Sequence, residues 1–109
     1  MDTTVLEIVR FALAAGVDPG RIEAAAAPVT DWLRGQAGFR WRTLAAPAEG
    51  GATWTDVVGW ASADDAHAAA EAASACPAMA ALMPLLDPAS VEIVHLPIVH
   101  QAHGEARSP

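Results

Sequence analysis

Residues 54–62 read "WTDVVGWAS" and decide the fold. β-Branched and aromatic residues dominate the first seven, the mark of a strand. A period of two puts Trp54, Asp56, Val58 and Trp60 on one face. Ser62, followed three residues later by Asp65, resembles a capping box with Asp in place of the usual Glu. A strand therefore runs straight into a helix, and it carries a carboxylate between two indoles on its apolar side.

The rest of the chain follows outward from this stretch. Upstream, "PAEGGA" at 47–52 is built of turn formers and joins the strand to another over 39–46. There Phe39, Trp41 and Thr43 alternate with Arg40, Arg42 and Leu44. "GQAGF" at 35–39 ends a preceding helix, with Gly35 and Gly38 as breakers. That helix starts at Asp18 as cap and Pro19 in the first turn. Ile22, Ala25, Ala26, Val29, Trp32 and Leu33 recur along it at helical spacing. Pro28 removes one backbone hydrogen bond and predicts a kink. Residues 4–13, "TVLEIVRFAL", form the first strand, with Glu7, Val9 and Phe11 on one face and Leu6, Ile8 and Arg10 on the other.

Downstream, an alanine-rich helix is expected over 63–75, its small residues allowing close approach to a sheet. Pro77 interrupts it. A short piece carrying Met79, Leu82, Met83 and Leu86 follows, closed by "DP" at 87–88. Residues 90–100, "SVEIVHLPIVH", are the last strand, where Pro97 forces an edge or a bend. The expectation is one domain over 1–100 and a polar, frayed tail over 101–109.

The order β-α-β-β-α-β predicts an α+β, ferredoxin-like fold: a four-stranded antiparallel sheet in order 4-1-3-2, with both helices on one face. The other face, with Leu6, Ile8, Val57 and Leu44 assigned to it, is left bare. A bare apolar face of that size is an interaction site, and a two-fold homodimer through the sheet is its simplest closure.

Composition narrows the function classes. Of 109 residues, 53% are apolar and 17% charged, which are globular values. Alanine alone supplies 27 residues, so the bulky core is thin. The net charge is −7, and all six basic residues are Arg, scattered along the chain. Nucleic-acid binding needs a basic stripe, so it is not expected. No apolar run is long enough to span a membrane, and Asp2 stands where a signal peptide would be basic. These readings predict a cytoplasmic protein. The single Cys76 has no internal disulfide partner and reads as a small buried hydrophobe. The absence of Lys rules out a Schiff-base nucleophile. There is no Tyr or Asn, no glycine-rich phosphate loop and no paired Cys/His metal spacing.

Three motifs carry a resemblance: "VRF" at 9–11, "QAGF" at 36–39, and "VVGWAS…AHAAAE" from 57 to 71. In these the chain resembles the antibiotic-biosynthesis-monooxygenase-like group of the dimeric α/β-barrel superfamily. The resemblance spans about residues 4–100. It implies a dimeric α/β barrel and a ligand cleft between sheet and helices. It implies one of several chemistries, since the superfamily hosts many activities. Some members oxidise aromatic polyketides with neither metal nor organic cofactor; others open the haem ring. Haem-opening members carry an Asn on the first strand and a His in the second helical segment. Here Val9 or a neighbour stands at the first place and residues 78–86 hold no His, so the expectation is against haem degradation. Quinone-forming members use Tyr or Asn with Trp and Arg, and this chain lacks Tyr and Asn.

Trp60 carries the match, so its face should line the cleft. The expected catalytic groups are Glu7, Asp56 and His95. The expected ligand-binding groups are Trp54, Trp60, Val9, Phe11 and His67. A carboxylate among apolar walls holds its proton toward neutral pH and is then able to exchange it with a ligand. Indoles stack on flat rings. The competing structural roles are an ion pair of Asp56 with Arg10, Arg40 or Arg42, core packing for Trp60, a half-exposed strand end for Trp54 and a structural histidine at position 95. Two functions are carried forward. One is a cofactor-independent monooxygenase acting on a planar aromatic metabolite. The other is a non-catalytic dimeric module that binds a small hydrophobic ligand or acts in stress response. No cofactor, metal or membrane is expected in either.

Overall fold

The computed structural model describes residues 3–104. The elements run β1 (Val5–Phe11), α1 (Pro19–Arg34), β2 (Phe39–Ala45), β3 (Trp54–Trp60), α2 (Ala63–Ala73), α3 (Pro77–Leu82) and β4 (Glu92–Pro97). Short 3₁₀ turns at Met83–Leu85 and Pro88–Ser90 lie between α3 and β4. The four antiparallel strands lie in the order β2-β3-β1-β4, which is the expected 4-1-3-2 sheet. This is a ferredoxin-like α+β fold.

The predicted punctuation is used as written. Asp18 Oδ1 accepts a hydrogen bond from the Gly20 backbone N–H at 2.8 Å, opening α1. Ser62 Oγ accepts from the Asp65 N–H at 3.1 Å, opening α2. Such caps satisfy amides that have no partner inside the helix. α1 runs through Pro28 as one sixteen-residue element. β4 is an edge strand and ends at Pro97, where a missing N–H does no harm. The first and last strands are shorter than expected. Of the tail, residues 101–104 carry no regular structure, and 105–109 lie outside the described residues.

One expectation is corrected on β2. Strict alternation puts Leu44 on the open sheet face, but a bulge between Phe39 and Trp41 intervenes. A bulge inserts one residue and reverses the facing of what precedes it. Phe39 pairs with Trp60, Trp41 with Gly59, Arg42 with Val58 and Leu44 with Asp56. Phe39, Arg42 and Leu44 therefore all face the helices, and Leu44 packs against the core. Trp41 takes the open face and lies directly over Gly59, where any Cβ would strike its indole.

The core fills the space between sheet and helices. Phe11, Trp54, Val58 and Trp60 from the strands meet Ile22, Val29 and Leu33 of α1, Ala66 and Ala69 of α2, and Leu82, Leu85 and Leu86. Gly38 seats the start of β2 against α2. Its φ is +80°, and a side chain there would collide with the Asp65 carboxylate. Among the described residues no helix covers the opposite sheet face. Cross-strand register gathers Leu6 with Leu96 and Ile8 with Val94 there, beside Val57 and Trp41. Among the described residues no single helix is long and apolar enough to cross a membrane.

Candidate functional site

A cavity of about 240 Å³ lies between the sheet and the helices. Its floor is the helix-facing side of β1 and β3: Glu7, Val9, Phe11, Asp56, Val58 and Trp60. Trp32 and Leu33 wall one flank and the alanines of α2 another, with Met79, Leu82 and Met83 as the roof. Met83 and Ile93 line it while remaining 48% and 56% exposed, so the mouth opens between them. The alanines matter by what they omit. Ala66, Ala69, Ala70 and Ala73 recur on one side of α2, and larger residues there would fill the hollow.

Two carboxylates enter this apolar chamber, and their surroundings differ. Asp56 sits opposite Val9 on one side and Leu44 on the other. Arg42 lies on β2 opposite Val58, one step diagonal from Asp56, and such diagonal neighbours are within reach of a long side chain. Arg42 Nη2 donates to Asp56 Oδ2 at 2.7 Å, and Nε donates to Oδ1 at 3.0 Å and Oδ2 at 3.2 Å. Arg42 Nη1 then donates to the Ala26 carbonyl at 2.9 Å and Thr30 Oγ1 at 3.0 Å. Each of the three guanidinium nitrogens donates, and the side chain is 5% exposed. This forked geometry is the strong form of the carboxylate–guanidinium pair. It bolts β2 and β3 to α1.

Among the described residues no guanidinium pairs with Glu7. It faces Val58 on β3 and His95 on β4. Trp60, diagonal to it on β3, donates its indole N–H to Glu7 Oε1 at 3.3 Å. His95 Nε2 lies 2.9 Å from Glu7 Oε2. Trp60 is 1% exposed. Its edge meets Phe39 across a T-shaped contact with centroids 6.0 Å apart. Glu7 is thus held by a neutral donor and an imidazole, and an ionised carboxylate keeps further lone pairs for a ligand.

The remaining expected site residues divide. Val9 and Phe11 line the cavity. Trp54 does not. It is 5% exposed and stacks on Phe11 with the rings 10° from parallel, so its indole is core. That corrects both its expected contact with a ligand and the half-exposed alternative. His95 lies outside the cavity and forms part of a second, shallower hollow with Ser62 and Asp64. His67 is exposed and sets its ring edge-on to His95, with centroids 5.4 Å apart. Neither histidine touches the cavity space directly. Trp32, Met79 and Met83 were legible as helical-spacing residues but not as cavity walls, because that requires knowing which helix side meets the sheet. Among the described residues no group of three or more His, Cys, Asp or Glu is arranged to hold a metal ion.

No family model matches this chain, and no curated protein is similar to it in sequence. Its backbone is similar to several solved structures. SnoaB, a cofactor-independent oxygenase from Streptomyces nogalater, matches with a TM-score of 0.75 at 20% identity, over 94% of this chain and 99% of that one. A dimeric ferredoxin-like protein of unknown function from Thermobifida fusca matches at 0.72 and 17%, over 90% and 93%. The haem-degrader MhuD from Mycobacterium tuberculosis, with two haems bound in its active site, matches at 0.69 and 22%, over 91% and 99%. At these identities the likeness is one of fold.

Proposed function

We propose that this chain is a cofactor-independent monooxygenase for a small planar aromatic compound, acting as a homodimer. The observation that carries this reading is Glu7. It is a carboxylate on the floor of an apolar cavity, held by Trp60 and His95, and among the described residues no guanidinium neutralises it. The likeness to a cofactor-independent oxygenase supports the same reading at the level of fold.

The chemistry suits a ring compound whose methylene carbon lies next to a carbonyl and is therefore acidic. Glu7 accepts a proton from that carbon. The indole N–H and the imidazole hold the carboxylate at the cavity floor, so the acceptor is positioned before the ligand arrives. The resulting carbanion reduces dioxygen one electron at a time, and a carbon–oxygen bond forms. The proton returns to give a hydroperoxide. Loss of the second C–H proton breaks the O–O bond and leaves a carbonyl and water. One oxygen atom enters the product and the other departs as water, so substrate and dioxygen balance without a further reductant. The apolar walls exclude bulk water from the carbanion.

In this reading Asp56 is a structural anchor and not the base, because Arg42 occupies both its oxygens. The second copy covers the open sheet face, where Leu6, Ile8, Val57, Val94, Leu96 and Trp41 lie together. The test is dioxygen uptake, monitored with an oxygen electrode, with 2-tetralone as probe, a two-ring compound whose benzylic methylene lies beside its carbonyl and whose enol presents a hydroxyl. Glu7→Gln should slow turnover by about 10²–10⁴-fold, the usual range for a general base, with the thermal melt unchanged. Unchanged turnover in that variant rejects Glu7 as base. No uptake by the folded wild type rejects the oxygenase, and tight haem binding with ring opening would favour the activity named for MhuD instead.

A further inference from the structure

Resting on the reading of the cavity as a ligand site, we infer that it selects uncharged, hydrogen-bond-donating compounds of one or two fused rings and rejects carboxylates. The first ground is the polarity of the lining. Among the described residues, the charged groups that line the cavity are Glu7 and Asp56, both acceptors when ionised. The Arg42 guanidinium, which pairs with Asp56, is not part of the lining. Its donors are spent on Asp56, the Ala26 carbonyl and Thr30. Asp56 already has the Arg42 charge, so an entering anion would meet the Glu7 carboxylate in an apolar space whose described lining holds no cation. The formal net charge of −7 adds repulsion at longer range.

The second ground is the kind of complement these groups require. Glu7 Oε1 accepts from Trp60 and Oε2 is engaged by His95. Each carboxylate oxygen has room for a second donor. A ligand hydroxyl or ring N–H fills that role, whereas a carbonyl or ether oxygen does not. The third ground is size. A buried apolar cavity of about 150 Å³ accommodates benzene. The present volume of about 240 Å³ fits a fused bicycle, and a third ring reaches the mouth between Met83 and Ile93. A dianionic tetrapyrrole meets neither the charge nor the size condition.

Isothermal titration calorimetry at pH 7 with 2-naphthol, 2-naphthoate and naphthalene tests the inference without any turnover. Wild-type protein should bind 2-naphthol at least about tenfold more tightly than either of the others. In Glu7→Gln the carboxamide supplies a donor, so the preference of naphthol over naphthoate should shrink toward parity. Circular dichroism checks that this variant is folded, and the wild-type comparison stands without it. Naphthoate binding as tightly as naphthol, naphthalene matching naphthol, or no binding of naphthol at millimolar concentration each overturns the inference. Dioxygen uptake with 2-tetralone is read independently of these affinities, so the ligand preference and the proposed reaction fail separately.

Discussion

Replacing Arg42 by Met tests whether Asp56 is an anchor. Met keeps most of the length and apolar volume of the arginine stem while removing its charge and all five donated hydrogen bonds. The partners are well buried, with side-chain exposures of 5% for Arg42 and 15% for Asp56. Breaking a buried pair by removing one member typically costs about 3–5 kcal/mol, because the other charge is left uncompensated. Each kcal/mol moves the melting temperature of a domain near this size by roughly 4 °C or more. The single variant should therefore melt on the order of 15 °C lower. Asp56→Leu alone should be similarly harmful, since it strands the guanidinium between β2 and α1.

The double variant Arg42→Met/Asp56→Leu should recover most of the loss. Exchange of a whole buried pair for apolar residues is often neutral or stabilising by about 1–4 kcal/mol. Urea denaturation of the four proteins at one fixed protein concentration gives the coupling energy directly. A coupling below about 0.5 kcal/mol, or a single-variant loss under about 1 kcal/mol, would show that water screens the pair as at a surface. The anchor argument would then fail. The same four proteins bear on mechanism. An anchoring role predicts that the double variant, once refolded to near wild-type stability, keeps most of its dioxygen uptake. Loss of uptake from a stable double variant would return Asp56 to the list of bases.

Trp60→Phe keeps an aromatic ring in the core but removes the donor to Glu7; it should destabilise by about 1–3 kcal/mol in urea titrations and weaken 2-naphthol binding. Gly38→Ala places a side chain at a positive φ against Asp65 and should lower stability by more than about 1 kcal/mol, measured by thermal melt. Ile8→Asp puts a charge at the centre of the open sheet face and should shift sedimentation velocity from dimer to monomer, while a monomeric wild type would refute closure through that face.

Much of the architecture could be read from period-two and period-3.6 patterns because those patterns record burial. The alternation in 54–60 placed Trp54, Asp56, Val58 and Trp60 on the covered face, where they lie. Asp18 and Ser62 announced the helix starts through chemistry that acts within a few residues. Leu44 was misplaced because the bulge at the start of β2 has no local signature in "GFRWR". Its register depends on how Phe39 packs against Trp60, a contact between different strands. Trp54 misled for a related reason. Sharing a face with Trp60 does not mean sharing a cavity, and Phe11 stands beside Trp54 and takes its ring. The ends of the outer strands also depended on packing. Leu13 leaves β1 to make a lone bridge with Leu86, so the apolar run outlasts the strand.

The carboxylate set between two indoles on β3 reflects a division of labour that the sheet itself imposes. Glu7 and Asp56 occupy the same face, on adjacent antiparallel strands, and each takes donors from residues diagonal or opposite to it. What differs is which strand supplies them. Asp56 on β3 borders β2, whose covered face carries Arg42 after the bulge has reset its register. Glu7 on the central β1 borders β4, which offers His95, and reaches diagonally to Trp60 on β3. An interior acid beside a guanidinium becomes structure; one beside an indole and an imidazole stays open to a ligand. A one-residue change of register in β2 would turn Arg42 toward the open face, strand Asp56 in the core and present the cavity with two unneutralised acids. The bulge, remote from any reacting atom, is thus what lets the chamber hold a single available carboxylate.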